Sequence, residues 1–265
     1  MRETTMSVQT TRRGPVTHIT LNNPDKRNAF DNTIIETLID AFQQAGGDDG
    51  RVIVLDAAGK HFSAGADLNW MRAMGALDEQ ENRADALRLA TLMDTIDRAG
   101  KPVIARVQGA AYGGALGLIC AADIAVAADD ARFCLSEVKL GILPAVIAPY
   151  VVRALGARQA RRYVMTAEVI DAPRAGRLGL VHEVVPAAEL DATVDKLVTA
   201  LLDGAPEAQR RARELVHRAD DSDVSHGLIE YTANLIAELR TGAEGQEGLG
   251  AFLEKRPPNW KPNRN

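Results

Sequence analysis

Three observations on the sequence predict an α/β fold. Apolar runs typical of β-strands alternate with stretches whose apolar residues recur at helical spacing. Two of the strand-like runs, Arg51–Leu55 and Pro102–Val107, are each followed by a glycine-containing segment that ends where a helix is expected. A chain of 265 residues with 46% hydrophobic content can also bury a large core. We therefore expect one large domain, or one domain with an appended unit.

The first elements in chain order are a strand, a polar loop and an amphipathic helix. Val16–Leu21 is typical of a strand, and Asn22–Asn28 has the composition of a turn around Pro24. The stretch Asp31–Ala45 has helical periodicity, because its apolar residues are Ile34, Ile35, Leu38, Ile39 and Phe42.

The remaining elements continue the alternation and then become helical. In the middle of the chain we expect strands over Arg51–Asp56, Val103–Val107, Ile124–Ala128 and Ala131–Leu135, and helices over Asp78–Arg98 and Gly114–Ala121. Towards the C-terminus we expect helices over Ala157–Thr166, Ala172–Leu178 and Ala187–Asp203, a short strand over Val181–Val185, and one or two helices within Glu207–Leu239.

The two glycine-containing segments, Gly59–Leu68 and Gly109–Gly117, are the first indication of chemistry. Each would leave backbone N–H groups pointing into open space where a helix is about to begin. Fixed dipoles of this kind suit an anion that forms only during a reaction, because they need no reorganisation when the charge arrives. The pattern therefore suggests an enzyme that stabilises an oxyanion such as an enolate.

Composition and charge exclude several other classes of protein. The net charge of −5 is the opposite of the positive charge that nucleic-acid binding requires. Cys120 and Cys134 are too few for a disulfide framework, and the histidines show no spacing typical of metal ligands, so no metal is expected. No apolar run could span a bilayer and Met1–Gly14 lacks an apolar signal core, so we expect a cytoplasmic protein without a membrane partner.

Several motifs in the same order resemble those of the enoyl-CoA hydratase/isomerase (crotonase) family. They are Leu21–Ala29, Ala64–Leu68, Gly109–Gly117, Ser136–Pro144, Arg177–Val181 and the tail from Phe252. Each motif alone is weak, but their order and their positions among the expected strands and helices make the likeness specific. It covers nearly the full chain.

The resemblance implies an α/β spiral of ββα units with a helical C-terminal region. Residues 1–200 would form the core with the acyl-CoA site, and residues 201–265 would serve oligomerisation and contact with coenzyme A. The implied assembly is a homotrimer or a dimer of trimers. The implied partner is an acyl-CoA thioester, with no cofactor apart from the coenzyme A of the substrate.

The resemblance also assigns roles to individual residues. It implies that the backbone N–H groups of Ala66 and Gly114 form an oxyanion hole for the thioester carbonyl, and that Glu137 is the catalytic acid/base. The implied substrate- and CoA-binding residues are Lys26, Arg27, Ala29, Ala64, Asp67, Leu68, Gly113, Phe252 and Lys255, of which Phe252 and Lys255 would reach coenzyme A from a neighbouring subunit. Arg27 and Lys255 could instead be solvated charges, and the Asp67 side chain could cap a helix.

The position of Glu137 supports its assigned role independently of the resemblance. It follows a strand and precedes an apolar stretch, which is an unusual place for an ionisable side chain. Burial raises the pKa of a carboxyl group and suits it to proton transfer near neutral pH. The alternative is a glutamate that caps a turn.

Two departures from the family pattern bear on the activity. Hydratases of the family usually carry a second glutamate three residues after the oxyanion-hole glycine, where this chain has Gly117. The usual glycine-rich run after the proline is replaced by Ala145–Tyr150. The segment Leu140–Gly156 looks most like bacterial methylglutaconyl-CoA hydratases, whose carboxylated substrate needs a cation. The local candidates, each of which could equally form a surface salt bridge, are Arg132, Lys139 and Arg153.

Our leading hypothesis is therefore an enoyl-CoA hydratase that acts on a branched or carboxylated acyl-CoA. An enoyl-CoA isomerase is the nearest alternative, since one carboxylate can move a proton between two carbons. A non-catalytic acyl-CoA-binding protein is a third possibility. A dinucleotide-dependent oxidoreductase is disfavoured because Gly113–Gly117 lacks G-x-G-x-x-G spacing. A serine peptidase is disfavoured because Gly109–Gly117 contains no Ser or Cys that could act as the nucleophile.

Overall fold

The structure, a computed structural model of the chain, describes residues 7–220 and 222–261. Its strands are β1 (Val8–Arg13), β2 (Val16–Leu21), β3 (Val52–Ala57), β4 (Val103–Val107), β5 (Ala110–Tyr112), β6 (Ile124–Ala128), β7 (Arg132–Cys134), β8 (Ile170–Asp171) and β9 (Glu183–Val185). Its α-helices are α1 (Asn32–Gly47), α2 (Leu68–Met74), α3 (Glu79–Asp97), α4 (Ala115–Ala121), α5 (Ala148–Thr166), α6 (Ala172–Leu178), α7 (Leu190–Asp203), α8 (Pro206–Asp220), α9 (His226–Thr241) and α10 (Ala243–Leu253). Short 3-10 helices cover Pro24–Lys26, Glu137–Leu140 and Ala187–Glu189.

The strands form two sheets. The larger has the strand order β1-β2-β3-β4-β6-β9, in which β1 and β2 are antiparallel and the other neighbours are parallel. The smaller has the order β5-β7-β8, with β5 and β7 parallel and β8 antiparallel to β7. The crossover connections that parallel strands require account for the alternation of strands and helices along the chain.

Both faces of the central strands β3, β4 and β6 of the larger sheet are buried, which explains why these strands are almost continuously apolar. Along β3, Val52 and Val54 face a small cluster that α7 completes, while Ile53 and Leu55 face the main core. The α7 residues of that small cluster are Leu190, Val194 and Val198. The main core includes residues of α1, α3, α4 and the smaller sheet.

The sheet topology places the two glycine-containing segments side by side. Strands β3 and β4 are parallel neighbours, with Ile53 paired to Val103. Gly59–Leu68 follows β3 and Gly109–Gly117 follows β4, so both leave from the carboxyl end of the same sheet. This is the edge at which ligands bind in open α/β sheets.

The expected alternation of strands and helices is confirmed, with differences at the boundaries. Asp31 is the N-cap of α1 and its carboxylate accepts the Ile34 N–H at 3.0 Å. The helix expected over Ala157–Thr166 is the second part of α5, which follows a kink at Gly156, where φ is 71°. The first part begins at Ala148 with Pro149 in its first turn, where a proline does not interrupt a helix, and it was not expected from the sequence.

The C-terminal region is helical, as expected. The expected boundary at residue 200 falls within α7, and the following helix, α8, begins at Pro206. Helix α8 is joined to α9 by an ion pair between Arg211 and Glu238 at 2.9 Å, and α9 contacts α10. None of the helices in the described ranges is long and apolar enough to cross a membrane.

Candidate active site

The first glycine-containing segment presents the N–H of Ala66 away from its neighbouring chain. Ala66 forms an isolated parallel bridge with Phe30, in which Phe30 N–H donates to the Gly65 carbonyl at 2.9 Å and Asp67 N–H donates to the Phe30 carbonyl at 3.0 Å. In such a bridge the N–H of the central residue points to the opposite side. Among the described residues, the Ala66 N–H has no hydrogen-bond acceptor.

The second segment leaves the N–H of Gly114 free for a related reason. Ser63 N–H donates to the Ala110 carbonyl and Tyr112 N–H donates to the Ser63 carbonyl, both at 3.0 Å. If this parallel ladder continued, Gly114 N–H would donate to the carbonyl of Gly65. The ladder ends at Gly113, whose φ is 57°, and Gly114 is the N-cap of α4, so its N–H has no acceptor within the described part of the chain.

Close contacts hold the two free N–H groups on adjoining stretches of backbone. A Cβ atom on Gly65, whose φ is 85°, would lie 2.7 Å from the Tyr112 carbonyl oxygen and 3.8 Å from the Gly113 Cα. A Cβ atom on Gly114 would lie 2.9 Å from Cζ of Phe30, the residue that bridges to Ala66. Glycine is therefore required at both positions, and the donors are fixed before any ligand binds.

The carboxyl group of Glu137 lies beside Gly113, the residue before the second donor. Glu137 begins a 3-10 helix immediately after β7, and a Cβ atom placed on Gly113 would lie 3.4 Å from its Oε1 atom. Its Oε2 atom is buried and has no hydrogen-bond partner among the described residues. Burial raises the pKa of the Glu137 carboxyl above its usual range, against a smaller lowering by its own backbone N–H. The group is thus suited to take up and return a proton near neutral pH.

The space beside Gly117 is filled by apolar side chains. A Cβ atom at Gly117 would lie 2.3 Å from Cγ2 and 2.9 Å from Cβ of Ile147, and 2.7 Å from Sδ of Met93. Ile147 and Met93 are both buried. The two departures from the family pattern, Gly117 and the segment Ala145–Tyr150, are therefore connected. Ile147 belongs to that segment, and its side chain fills the space next to Gly117, the position of the second glutamate.

The expected CoA-binding residues of the first loop lie around the start of α2. Asp67 caps this helix, as one interpretation of the sequence predicted, since its Oδ1 accepts the N–H groups of Asn69 at 2.8 Å and Trp70 at 3.2 Å. These backbone hydrogen bonds lower the pKa of Asp67, and Lys26 adds an ion pair at 3.3 Å. Leu68, the first residue of α2, is exposed.

The other expected binding residues of these loops are held mainly through backbone bonds. Ala64 N–H donates to the Arg27 carbonyl at 2.9 Å, and Arg27 is exposed with a φ of 53°. Ala29 is buried, so its side chain can shape the loop but can make little contact with solvent or a ligand. Gly113 lies between Glu137 and β5, and its N–H donates to the Cys134 carbonyl at 2.9 Å.

Phe252 and Lys255 lie at the far end of α10. The Phe252 residue is 81% exposed, and Lys255 has a φ of 55° just after the helix ends. An exposed phenylalanine is compatible with contact to another subunit. The assignment of both residues to the coenzyme A of a neighbouring subunit stays a prediction.

The three candidate cations differ in their partners. Arg153 forms an ion pair with Asp97 and stacks over the ring of Tyr150. Arg132 is exposed and donates to the Ala131 carbonyl at 2.8 Å. Lys139 donates to the Ala167 carbonyl at 3.1 Å.

Asn28 is a structural residue of the site that the sequence did not reveal. It is buried with a φ of 53°, and its Nδ2 donates to the carbonyls of Ala58 at 2.8 Å and His61 at 2.9 Å. Its Oδ1 accepts the Asn23 N–H at 2.8 Å. Asparagine tolerates this left-handed conformation, which is the only signal that composition could have offered.

No group of three or more metal-ligating side chains occurs in the ranges that the structure describes. The chemistry that these residues can provide is that of one carboxyl group and two fixed N–H donors. Together they can move a proton while holding a negatively charged oxygen.

Comparisons with known proteins agree with this geometry. The family model described as enoyl-CoA hydratase/isomerase matches residues 11–263. The chain is 31% identical to the 2,3-dehydroadipyl-CoA hydratase of Escherichia coli, with 92% of this chain and 94% of that protein covered. It is 32% identical to the trans-2-decenoyl-[acyl-carrier-protein] isomerase of Streptococcus mutans, with the same coverage of 92% and 94%. A crystal structure of an enoyl-CoA hydratase from Shewanella pealeana superposes with a TM-score of 0.94 at 45% identity, and the match covers 97% of each chain.

Proposed function

The chain belongs to the enoyl-CoA hydratase/isomerase family and has its crotonase fold, and from this premise we propose that it is an enoyl-CoA hydratase with a single catalytic carboxylate. The observation that carries the proposal is the buried, unpartnered Oε2 of Glu137 beside the segment that bears the Gly114 N–H. The reaction is the reversible addition of water across the 2,3 double bond of an acyl-CoA thioester.

One carboxylate suffices for the whole addition. Ionised Glu137 accepts a proton from water as the water oxygen bonds to the β-carbon, and the double-bond electrons move into the thioester carbonyl to give an enolate. The N–H groups of Ala66 and Gly114 stabilise the enolate oxygen, and one such donor contributes about 2.7–4 kcal/mol to transition states of this kind. Protonated Glu137 then returns its proton to the α-carbon, which restores the ionised carboxylate.

The first test is turnover of crotonyl-CoA and methylglutaconyl-CoA, followed as the loss of conjugated-thioester absorbance. We expect at least one to be hydrated and Glu137→Gln to lower kcat on the order of 100-fold or more. The Gln variant keeps the shape of the side chain, so an unchanged circular dichroism spectrum shows that only proton transfer was lost. No turnover of either thioester would refute the hydratase.

A second candidate function is an enoyl-CoA isomerase, which the packing at Gly117 favours. Ile147 and Met93 leave no room there for a second carboxylate, and moving a proton from one carbon to another needs only one. The discriminating experiment offers a 3-enoyl-CoA and, separately, the matching 2-enoyl-CoA in ¹⁸O-labelled water. Conjugation of the 3-enoyl-CoA without ¹⁸O in the product supports the isomerase, whereas ¹⁸O incorporation into the product of the 2-enoyl-CoA supports the hydratase.

We further propose that the acyl group is branched or carboxylated, of the methylglutaconyl type, and that Lys139 meets its distal carboxylate. Arg153 already pairs with Asp97, whereas Lys139 contacts a neutral carbonyl and lies two positions from Glu137. A Lys139→Gln variant should raise KM for methylglutaconyl-CoA and leave KM for crotonyl-CoA unchanged. Arg132→Gln is the control. An equal rise in KM for both substrates would reject this role of Lys139.

We also propose that the C-terminal helices assemble the chain into a homotrimer or a dimer of trimers in the cytoplasm. Exposed apolar side chains on α8 and α9, Val216, Ile229 and Ile236, support this proposal because they would otherwise remain in water. Sedimentation equilibrium should give three or six times the 28.5 kDa mass of one chain. A monomer would contradict it.

A further inference from the structure

One hydrogen bond between the two glycine-containing segments is made by a side chain. Nδ1 of His61 accepts the backbone N–H of Ala110 at 3.1 Å, across 49 positions of sequence. The two neighbouring bonds, from Ser63 N–H to Ala110 and from Tyr112 N–H to Ser63, join backbone to backbone. A further backbone bond, from the Phe62 N–H to the Gln108 carbonyl at 2.8 Å, lies at the end farther from Gly114, so the imidazole bond lies between backbone bonds on both sides.

The backbone of His61 does not make this bond itself. In a continued parallel ladder the Ala110 N–H would donate to the His61 carbonyl. That carbonyl instead accepts the side-chain amide of Asn28 at 2.9 Å. Because the ring supplies the acceptor, Nδ1 presents a lone pair to the Ala110 N–H.

The turn that precedes Ala110 fits tightly against His61. Gly109 has a φ of 58°, and a Cβ atom there would lie 2.1 Å from the Lys60 carbonyl oxygen and 2.8 Å from Nδ1 of His61. On the other side, the Gly109 carbonyl accepts the Arg132 N–H of β7 at 2.9 Å. The backbone entering β5 is thus held between the imidazole and the smaller sheet.

We propose that His61 is a positioning residue for the oxyanion hole. Strand β5 begins at Ala110 and leads through Gly113 directly to Gly114, while His61 opens the stretch that ends at Ala66. The bond from Ala110 to His61 sets the register of these two stretches and so the separation of the two N–H donors. The inference rests on the proposed function, in which those donors bind the thioester oxygen.

The kinetic test compares His61→Leu with His61→Asn, whose Oδ1 occupies the position of Nδ1 and can replace it as the acceptor. We expect His61→Leu to lower kcat about tenfold or more with KM changed less than about twofold, because misplaced donors weaken transition-state binding more than ground-state binding. His61→Asn should recover most of kcat.

His182 offers a matched control. Its Nδ1 accepts the backbone N–H of Ala125 at 3.0 Å, the same kind of bond, but on β6 rather than on the glycine-containing segments. His182→Leu should leave kcat unchanged. Equal losses of kcat in His61→Leu and His182→Leu, or no recovery in His61→Asn, would overturn the positioning role.

Amide hydrogen exchange tests the same inference without any turnover. The Tyr112 N–H is bonded to Ser63, one step further along the ladder towards Gly114. Its exchange should speed up in His61→Leu and return towards the parent rate in His61→Asn. Unchanged exchange at Tyr112 would refute the proposal, even if the parent protein proved inactive and the proposed function failed.

Discussion

The packing around Gly117 leads to a quantitative prediction for stability. Within a helix, alanine is usually more stable than glycine by about 1 kcal/mol. At Gly117 the added Cβ would lie 2.3 Å from Cγ2 of Ile147, and Ile147 and Met93 are buried and cannot swing into solvent. Overpacking of a core costs about 1–3 kcal/mol, so Gly117→Ala should be destabilising by up to about 2 kcal/mol despite its better helix propensity.

The cause of that loss can be tested with a second substitution. Ile147→Ala removes the clashing Cγ2 and should cost about 2–5 kcal/mol on its own. In the double variant the new methyl group at residue 117 enters the space that Ile147 vacated. The free energy of unfolding lost by the double variant should therefore be about 1–3 kcal/mol smaller than the sum of the single losses.

Equilibrium urea unfolding at one fixed protein concentration measures these differences, because assembly makes stability depend on concentration. Gly46→Ala is the matched control, since Gly46 lies within α1 and its added Cβ would meet only the Gly100 nitrogen at an ordinary 3.7 Å. It should be neutral or stabilising. Losses that add within about 0.5 kcal/mol for Gly117 and Ile147 would refute the packing argument.

Three further predictions concern the loops and the catalytic carboxyl. Because burial raises the pKa of Glu137, ionisation of this carboxyl group destabilises the folded protein once the pH exceeds the ordinary carboxyl range. Glu137→Gln should therefore be more stable than the parent at pH 7 and should lose that advantage below about pH 4. Urea unfolding midpoints at the two pH values measure this difference. Asp67→Ala should lower the free energy of unfolding by about 0.5–2 kcal/mol, because it removes the N-cap of α2. Asp67→Asn should keep most of the stabilisation, because its side-chain oxygen can still cap the helix. Thermal unfolding of the two variants distinguishes the effect of the cap from that of the charge. Asn28→Ala should cost about 2–4 kcal/mol, since it leaves the carbonyls of Ala58 and His61 unpaired, and an unchanged urea midpoint would contradict that reasoning.

The sequence predicted the bounds of strands and helices more accurately where apolar periodicity is strong than where it is weak. Val16–Leu21 and Val103–Val107 are strands with the expected bounds. By contrast, β1 lies at the edge of the sheet with mostly exposed polar side chains, so its sequence carries little apolar alternation. The part of α5 before the kink at Gly156 was missed because Pro149 resembles a helix breaker, whereas the part after the kink was expected.

The sequence indicated candidate site residues but not the contacts that shape the site. The motifs pointed to Ala66, Gly114 and Glu137. They could not show that the bridge between Ala66 and Phe30 turns the Ala66 N–H away from its neighbouring chain. Such facts depend on pairings between distant segments, and local patterns do not contain them.

The filled space at Gly117 also separates two explanations for the missing carboxylate. A site that had simply lost a glutamate would keep a cavity, and a cavity in a core costs about 24 cal/mol for each Å³. Here Met93 of α3 and Ile147 of the turn before α5 occupy the space, so no cavity is left beside Gly117.

The state of Glu137 supports the same conclusion from the opposite direction. A buried carboxyl oxygen without a partner disfavours folding, and a protein that only bound acyl-CoA would be more stable without it. Filled apolar packing at Gly117 together with one costly carboxyl group is the arrangement expected of a site built to work with a single proton carrier. This combination favours an enzyme over a binding protein, and in the proposed mechanism the rate depends on the proton affinity of Glu137.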